Sequence, residues 1–142
     1  MSKKNDNILL KNIALADDDS DDAALFAEAL LEIDPKIAFK KASNGRELLD
    51  KMESGEFFFP DIIFLDINMP EMNGWECLAE LKKNSMFKNV PVVIYSTSSH
   101  TRDKRMAATL GASLFFTKPD NFQQLKLFLE RLLDDPRVVT NK

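Results

Sequence analysis

The chain has 142 residues, enough for one domain, and its 44% hydrophobic and 30% charged content excludes a disordered chain and predicts a globular, water-soluble protein. A net charge of -4 and a pI near 5.0 argue against a general binder of nucleic acid or of an anionic membrane surface, since either needs a basic face. A single cysteine, Cys77, excludes an intramolecular disulfide and is expected to be a half-buried thiol in a reducing cytoplasm.

Met1 to Asn7 lacks the apolar centre of a signal peptide, and no run approaches membrane-spanning length. Ile13 to Ala16 reads as a short strand ending on Asp17-Asp18-Asp19. Ser20 is then expected to cap a helix whose buried side is Leu25, Phe26, Ala29 and Leu30. Lys36 to Lys41 alternates loosely with lysines at its ends, as suits an edge strand guarded against pairing with other chains. Asn44-Gly45-Arg46-Glu47 starts a second helix carrying Leu48, Leu49 and Met52, and Gly55 stops it.

Ile62 to Leu65 are apolar, β-branched and aromatic, long enough for a strand buried on both faces and too short for a helix. Asp66 therefore stands at a strand end. Pro70 discourages regular structure beyond it, and Asn73-Gly74-Trp75-Glu76 starts a helix with a capping-box spacing of Asn and Glu, continued by Leu78 and Leu81. Pro91 to Tyr95 is a fourth strand ending at Ser96-Thr97, and the next helix runs through Met106, Ala107 and Leu110 to Gly111. Ser113 to Thr117 is a fifth strand ending at Lys118-Pro119. Asp120 to Gln123 opens a last helix along Phe122, Leu125, Phe128, Leu129 and Leu132, which Pro136 ends; Arg137 to Lys142 reads as a loose tail. Strands alternating with helices, each pair spaced by one crossover's length of chain, predict an α/β protein with a parallel sheet covered by helices on both faces. This spacing does not determine the strand order.

The order of strand, acid, loop and helix carried by Asp66, Met69, Pro70 and Gly74 resembles the phosphoacceptor region of response-regulator receiver domains. The resemblance spans about residues 12–133 and makes 1–142 a single receiver domain, with 1–11 and 134–142 as terminal extensions and no room for an output domain. It implies a flavodoxin-like doubly wound (βα)5 fold with a five-stranded parallel sheet in the order 2-1-3-4-5. Ligands of such sheets gather beyond the carboxyl ends of the strands at the switch point, here between the first and third. Asp17, Asp18, Asp66, Ser96 and Lys118 would converge there.

Three carboxylates in one crevice repel one another unless a cation joins them, and Mg²⁺ suits all-oxygen ligands. By the resemblance, Asp17 and Asp18 hold Mg²⁺ with Asp66 and the backbone carbonyl of Asn68, leaving Asp19 outside the set. Asp66 is then the nucleophile toward a phosphohistidine on a sensor histidine kinase or a histidine phosphotransfer protein. Lys118 supplies positive charge to the phosphoryl oxygens, aimed inward by a cis bond to Pro119. Ser96 and Phe115 form a switch that remodels the face of the fourth helix, fifth strand and last helix, where a downstream protein or a second copy would bind. Thr97 departs from the family pattern, standing where receivers more often keep a small residue. Its bulk is expected to give a longer-lived phosphoaspartate, and Asn68, two residues after the acceptor, stands where side chains also influence that lifetime.

The expected function is thus a two-component response regulator, a phosphoacceptor switch rather than a turnover enzyme; the alternative is a receiver-like interaction module that works without phosphate. A haloacid-dehalogenase-type phosphotransferase would need a second Asp where Asn68 stands, and no Gly-x-x-x-x-Gly-Lys stretch supports NTP hydrolysis. His100, the only histidine, reads as solvated at a loop or helix start.

Overall fold

The computed structural model describes residues 10–135, so the readings made for Met1 to Asn7 and for Pro136 to Lys142 fall outside it. The strands are β1 Asn12–Ala16, β2 Ala38–Ala42, β3 Ile62–Leu65, β4 Val92–Ser96 and β5 Leu114–Thr117. They alternate with helices α1 Ser20–Ile33, α2 Gly45–Glu53, α3 Gly74–Lys83, α4 Thr101–Thr109 and α5 Phe122–Asp134. All neighbouring strands pair in parallel, in the order β2-β1-β3-β4-β5, the expected flavodoxin-like arrangement. Among the described residues no helix is long and apolar enough to cross a membrane.

The period-two alternation of the strands divides their side chains between two cores. Ala14, Ala16, Ile63, Leu65, Val92 and Ile94 meet Leu48, Leu78, Leu81 and Ala107 from α2, α3 and α4. Ile13, Leu15, Ile62, Phe64, Val93 and Tyr95 meet Phe26, Leu30, Leu129 and Leu133 from α1 and α5. Every β3 side chain is fully buried. Each such burial contributes about 1.5–3 kcal/mol relative to exposure, which offsets the cost of carrying Asp66 into the interior on the same strand. Lys40 and Lys41 stay exposed on β2, the sheet's edge.

Three helices begin on asparagine. Asn44, Asn73 and Asn121 accept from the backbone N–H of Glu47, Glu76 and Gln124, and Asn73 and Glu76 complete the anticipated capping box. For α1 the cap is Asp19 and not Ser20: its carboxylate accepts from the N–H groups of Asp21 and Asp22, and Ser20 is the first helical residue. A full negative charge complements the positive end of a helix better than a neutral hydroxyl does.

The buried stripe of α1 is Ala23, Phe26, Ala29, Leu30 and Ile33; Leu25, expected there, is 43% exposed because it lies one helical step off that line. On α4, Ala107 is buried and Met106 is exposed. Cys77 is completely buried rather than half-buried. It packs where α3 meets Gly45, whose missing side chain would come within 2.8 Å of the Cys77 Cβ, and burial pushes its thiol up to about 12. The described residues contain no cis peptide bond, so the Lys118–Pro119 bond is trans, contrary to expectation.

Candidate functional site

The sheet's hydrogen-bond ladder continues one rung past the strands that carry the polar residues. Asp17 N–H donates to Ala42 O at 3.0 Å, Asp66 N–H to Ala16 O at 3.0 Å, and Lys118 N–H to Ser96 O at 2.7 Å. These rungs fix the backbone from which the three side chains project toward one crevice at the carboxyl ends of β1 and β3. Gly74 closes that crevice from the α3 side: its N–H donates to Ile67 O at 2.8 Å, and a Cβ there would collide with the Asp66 carbonyl oxygen. Only glycine permits that approach.

Asp17, Asp18 and Asp66 each present a carboxylate oxygen, and the three oxygens lie within 4.8 Å of one another. Asp17 and Asp66 are buried and Asp18 is exposed. Asp66 Oδ1 accepts from its neighbour's Ile67 N–H at 2.8 Å, and Oδ2 lies 3.7 Å from Lys118 Nζ. Asp17 Oδ1 accepts from Asp19 N–H at 3.0 Å, while its Oδ2 accepts from Lys118 Nζ at 2.8 Å. Lys118 thus points inward although its bond to Pro119 is trans. Its ammonium also lies over the Tyr95 ring, 5.2 Å from the centroid.

A partner that sequence reasoning missed is Asp22, whose Oδ2 accepts from Lys118 Nζ at 2.8 Å. The signal for it was the phase of α1. Asp22 lies four residues before Phe26 on the stripe that faces the sheet, so a carboxylate there in the first turn reaches the carboxyl edge.

Burial pushes the Asp66 carboxyl up to about 6; Lys118 opposes the shift and the negative charge of Asp17 adds to it. Burial also raises Asp17, although its hydrogen bond from Lys118 works against this. Lys118 is also raised, but for a different reason. Burial alone would lower it, but the bonds to Asp17 and Asp22 outweigh burial and hold it above the usual lysine range. The site is a cluster of acids balanced by one internal cation, with all-oxygen donors near enough to close on a hard divalent ion after small rotations. The donor set fits Mg²⁺ or Mn²⁺ and lacks the sulfur and imidazole that would favour zinc.

The other anticipated residues flank this cluster. Ser96 is buried at the end of β4, paired in register with Thr117. Thr97 and Asn68 are exposed in the loops beyond β4 and β3. Phe115 lies opposite Ile94 in the β4–β5 ladder and packs, partly buried, against the core shared by α2, α3 and α4. His100 is the exposed residue that precedes α4, and its side chain makes no capping bond.

A five-stranded parallel sheet of this order, with a carboxylate triad and a part-buried lysine at the β1–β3 switch point, defines a doubly wound α/β protein built around an acidic crevice. The chain belongs to the response regulator receiver domain family, whose profile matches residues 13–130. It is 30% identical over 115 residues, 81% of its length, to the sensor histidine kinase CheAY of Helicobacter pylori, of which it covers 14%. It covers between 14% and 49% of the length of that protein and three further curated relatives. Among solved structures, the phosphorylated cyanobacterial phytochrome response regulator RcpA is 30% identical, with a TM-score of 0.80 over 87% of this chain and 91% of that one. The Mn²⁺-bound form of the response regulator Rcp1 is 28% identical, with a TM-score of 0.75 over 86% and 91%.

Proposed function

We propose that this chain is a phosphoacceptor switch of two-component signalling: Asp66 takes a phosphoryl group from a phosphohistidine on a sensor histidine kinase or phosphotransfer protein. The observation that carries this reading is the convergence of Asp17, Asp18, Asp66 and Lys118 on one crevice. A carboxylate oxygen of Asp66 forms a bond to phosphorus as the bond from phosphorus to the imidazole nitrogen breaks, and the electron pair leaves with the imidazole. Lys118 answers the charge on the phosphoryl oxygens, and the ladder bond at Asp66 N–H holds the nucleophile in line. Asp17 and Asp18, with Asp66 and the Asn68 carbonyl, would hold Mg²⁺. When bound, the ion neutralises the carboxylates and the transferring group. The similar proteins described as phosphorylated and Mn²⁺-bound support both halves of this reading.

The product is an acyl phosphate on a cytoplasmic switch, not a turnover enzyme. Ser96 and Phe115 respond to it by remodelling the α4-β5-α5 face toward a downstream protein or a second copy. Thr97 and Asn68 set its lifetime; both stand exposed in the loops just beyond β4 and β3.

Intact mass tests this. Treatment with a small phosphodonor and Mg²⁺ adds one phosphoryl group to the wild type and none to Asp66→Ala, and omitting Mg²⁺ abolishes the gain. Followed through decay, Thr97→Ala loses the group several-fold faster than wild type; an unchanged decay would remove Thr97 from the account. No gain with the small donor and none with a phosphorylated kinase would instead leave an interaction module that works without phosphate.

A further inference from the structure

The loop between β4 and α4 contains one residue whose every polar group is engaged, each with a different part of the fold. Ser98 N–H donates to Ser96 Oγ at 3.1 Å. Its carbonyl accepts from Thr117 Oγ1, on β5, at 2.8 Å. Its hydroxyl donates to Asp103 Oδ2, in the first turn of α4, at 2.6 Å, and accepts from His100 N–H at 3.2 Å. From this geometry we infer that Ser98 is a positioning residue that sets the start of α4 and links it to the Ser96 hydroxyl. The inference rests on the reading of Ser96 as the switch hydroxyl.

The start of α4 depends on Ser98 because it has no cap of its own. Each of the other four helices has an Asp or Asn whose side chain accepts first-turn N–H groups, whereas His100 makes no such bond. In an ordinary capping box the acid at the third helical position accepts directly from the N-cap N–H. Here Asp103 holds that position, and the Ser98 hydroxyl stands between it and His100, accepting from one and donating to the other. Removing the hydroxyl leaves a part-buried carboxylate and an N–H group without these partners.

The same residue gives the switch a mechanical link. If the Ser96 hydroxyl turns toward a phosphoryl group on Asp66, the Ser98 N–H loses its acceptor. Leaving that donor unsatisfied is unfavourable, so the loop follows Ser96. Because the Ser98 hydroxyl is tied to Asp103, the first turn of α4 moves with it. Thr117, bonded to the Ser98 carbonyl and paired in register with Ser96, carries the same displacement to β5.

Hydrogen exchange of the full chain tests the inference, on unmodified protein and on protein phosphorylated at Asp66 with its occupancy measured by intact mass. In wild type, phosphorylation changes exchange across residues 101–105. In Ser98→Ala, phosphoryl occupancy stays at the wild-type level, exchange across 101–105 rises about tenfold before any phosphorylation, and the phosphorylation-dependent change is lost. Ser98→Thr keeps a hydroxyl and restores both. Wild-type protection in Ser98→Ala with an intact response to phosphorylation would overturn the inference, as would failure of Ser98→Thr to rescue. A wild type that takes no phosphoryl group sinks the reading of Asp66, and the proposed linkage with it. Exchange of the unmodified variants would then still decide whether Ser98 anchors α4.

Discussion

Lys118 is shared among three acids unequally. Its ammonium lies 2.8 Å from both Asp17 and Asp22 and 3.7 Å from Asp66, so it is a counter-ion to the neighbours of Asp66 more than to Asp66 itself. Asp17 also belongs to the carboxylate triad, whereas Asp22 lies outside it. It is 32% exposed, and solvent screening limits its link to Lys118 to about 1 kcal/mol. Asp22→Asn should therefore lower the free energy of urea unfolding by about that much or less, and leave Lys118 freer to reach Asp66. Phosphorylation of Asp66 by a small donor then proceeds at least as fast as in wild type, whereas Lys118→Ala slows it more than tenfold. A tenfold loss in Asp22→Asn would show that the carboxylate takes part in the reaction. Most of the crevice was legible in the sequence, because strand ends follow from short apolar runs, and Asp17-Asp18, Asp66 and Lys118 follow three of them. Asp22 was not read, since its role depends on the angular phase of α1 and on a lysine 96 residues away in sequence. The trans bond at Pro119 was also misjudged: Lys118 is turned inward by its ladder bond and its carboxylate partners, neither of which a dipeptide reveals.

Strands and helix starts carried most of what the sequence could say about elements, and for a common reason. Asn44, Asn73 and Asn121 satisfy specific N–H groups three residues ahead, so the cap and its helix are both local features. Which helical face is buried is decided by the sheet, and Leu25 was accordingly misplaced. The β3–α3 connection shows how one element constrains another. Gly74 opens α3 with its backbone pressed against Asp66 and Ile67, an imagined Cβ lying 2.9 Å from the Ile67 Cα and closer still to the Asp66 carbonyl oxygen. These are backbone atoms in a paired strand end, so relief requires shifting either the helix or Asp66. Gly74→Ala should destabilise the fold by about 1–3 kcal/mol in urea unfolding. It should also slow phosphorylation of Asp66 in molecules that remain folded, because the Asp66 side chain moves with its carbonyl. Wild-type stability with wild-type phosphorylation would show that the connection yields without disturbing the strand end.

Across the whole molecule, the acidic crevice links stability to pH and to cations. The Asp66 carboxyl rises from 3.8 to about 6 on folding, so between those values the folded chain holds a proton that the unfolded chain releases. Stability from this group is therefore greatest below about pH 4, falls as pH rises toward and past 6, and is level above that. At neutral pH the ionised carboxylate costs up to about 3 kcal/mol, since each tenfold change in proton affinity is worth about 1.36 kcal/mol. Asp66→Asn removes this penalty and should be more stable than wild type at pH 7.5, with the difference shrinking toward zero near pH 4. Comparing the two proteins isolates the residue from Asp17, which shifts in the same direction, and from Glu47, which shifts in the other. A divalent ion that binds only the folded crevice reverses part of the penalty, by about 1.4 kcal/mol at ten times its dissociation constant. That gain requires an ionised Asp66. Thermal melts should therefore show Mg²⁺ raising the wild-type Tm by about 3–6 °C at pH 7.5 and hardly at all at pH 5. The response of Asp66→Asn should be smaller at both. An equal Mg²⁺ shift at both pH values in the wild type would mean that the ion binds without Asp66. The residue would then be a nucleophile next to a cation held by Asp17 and Asp18 alone.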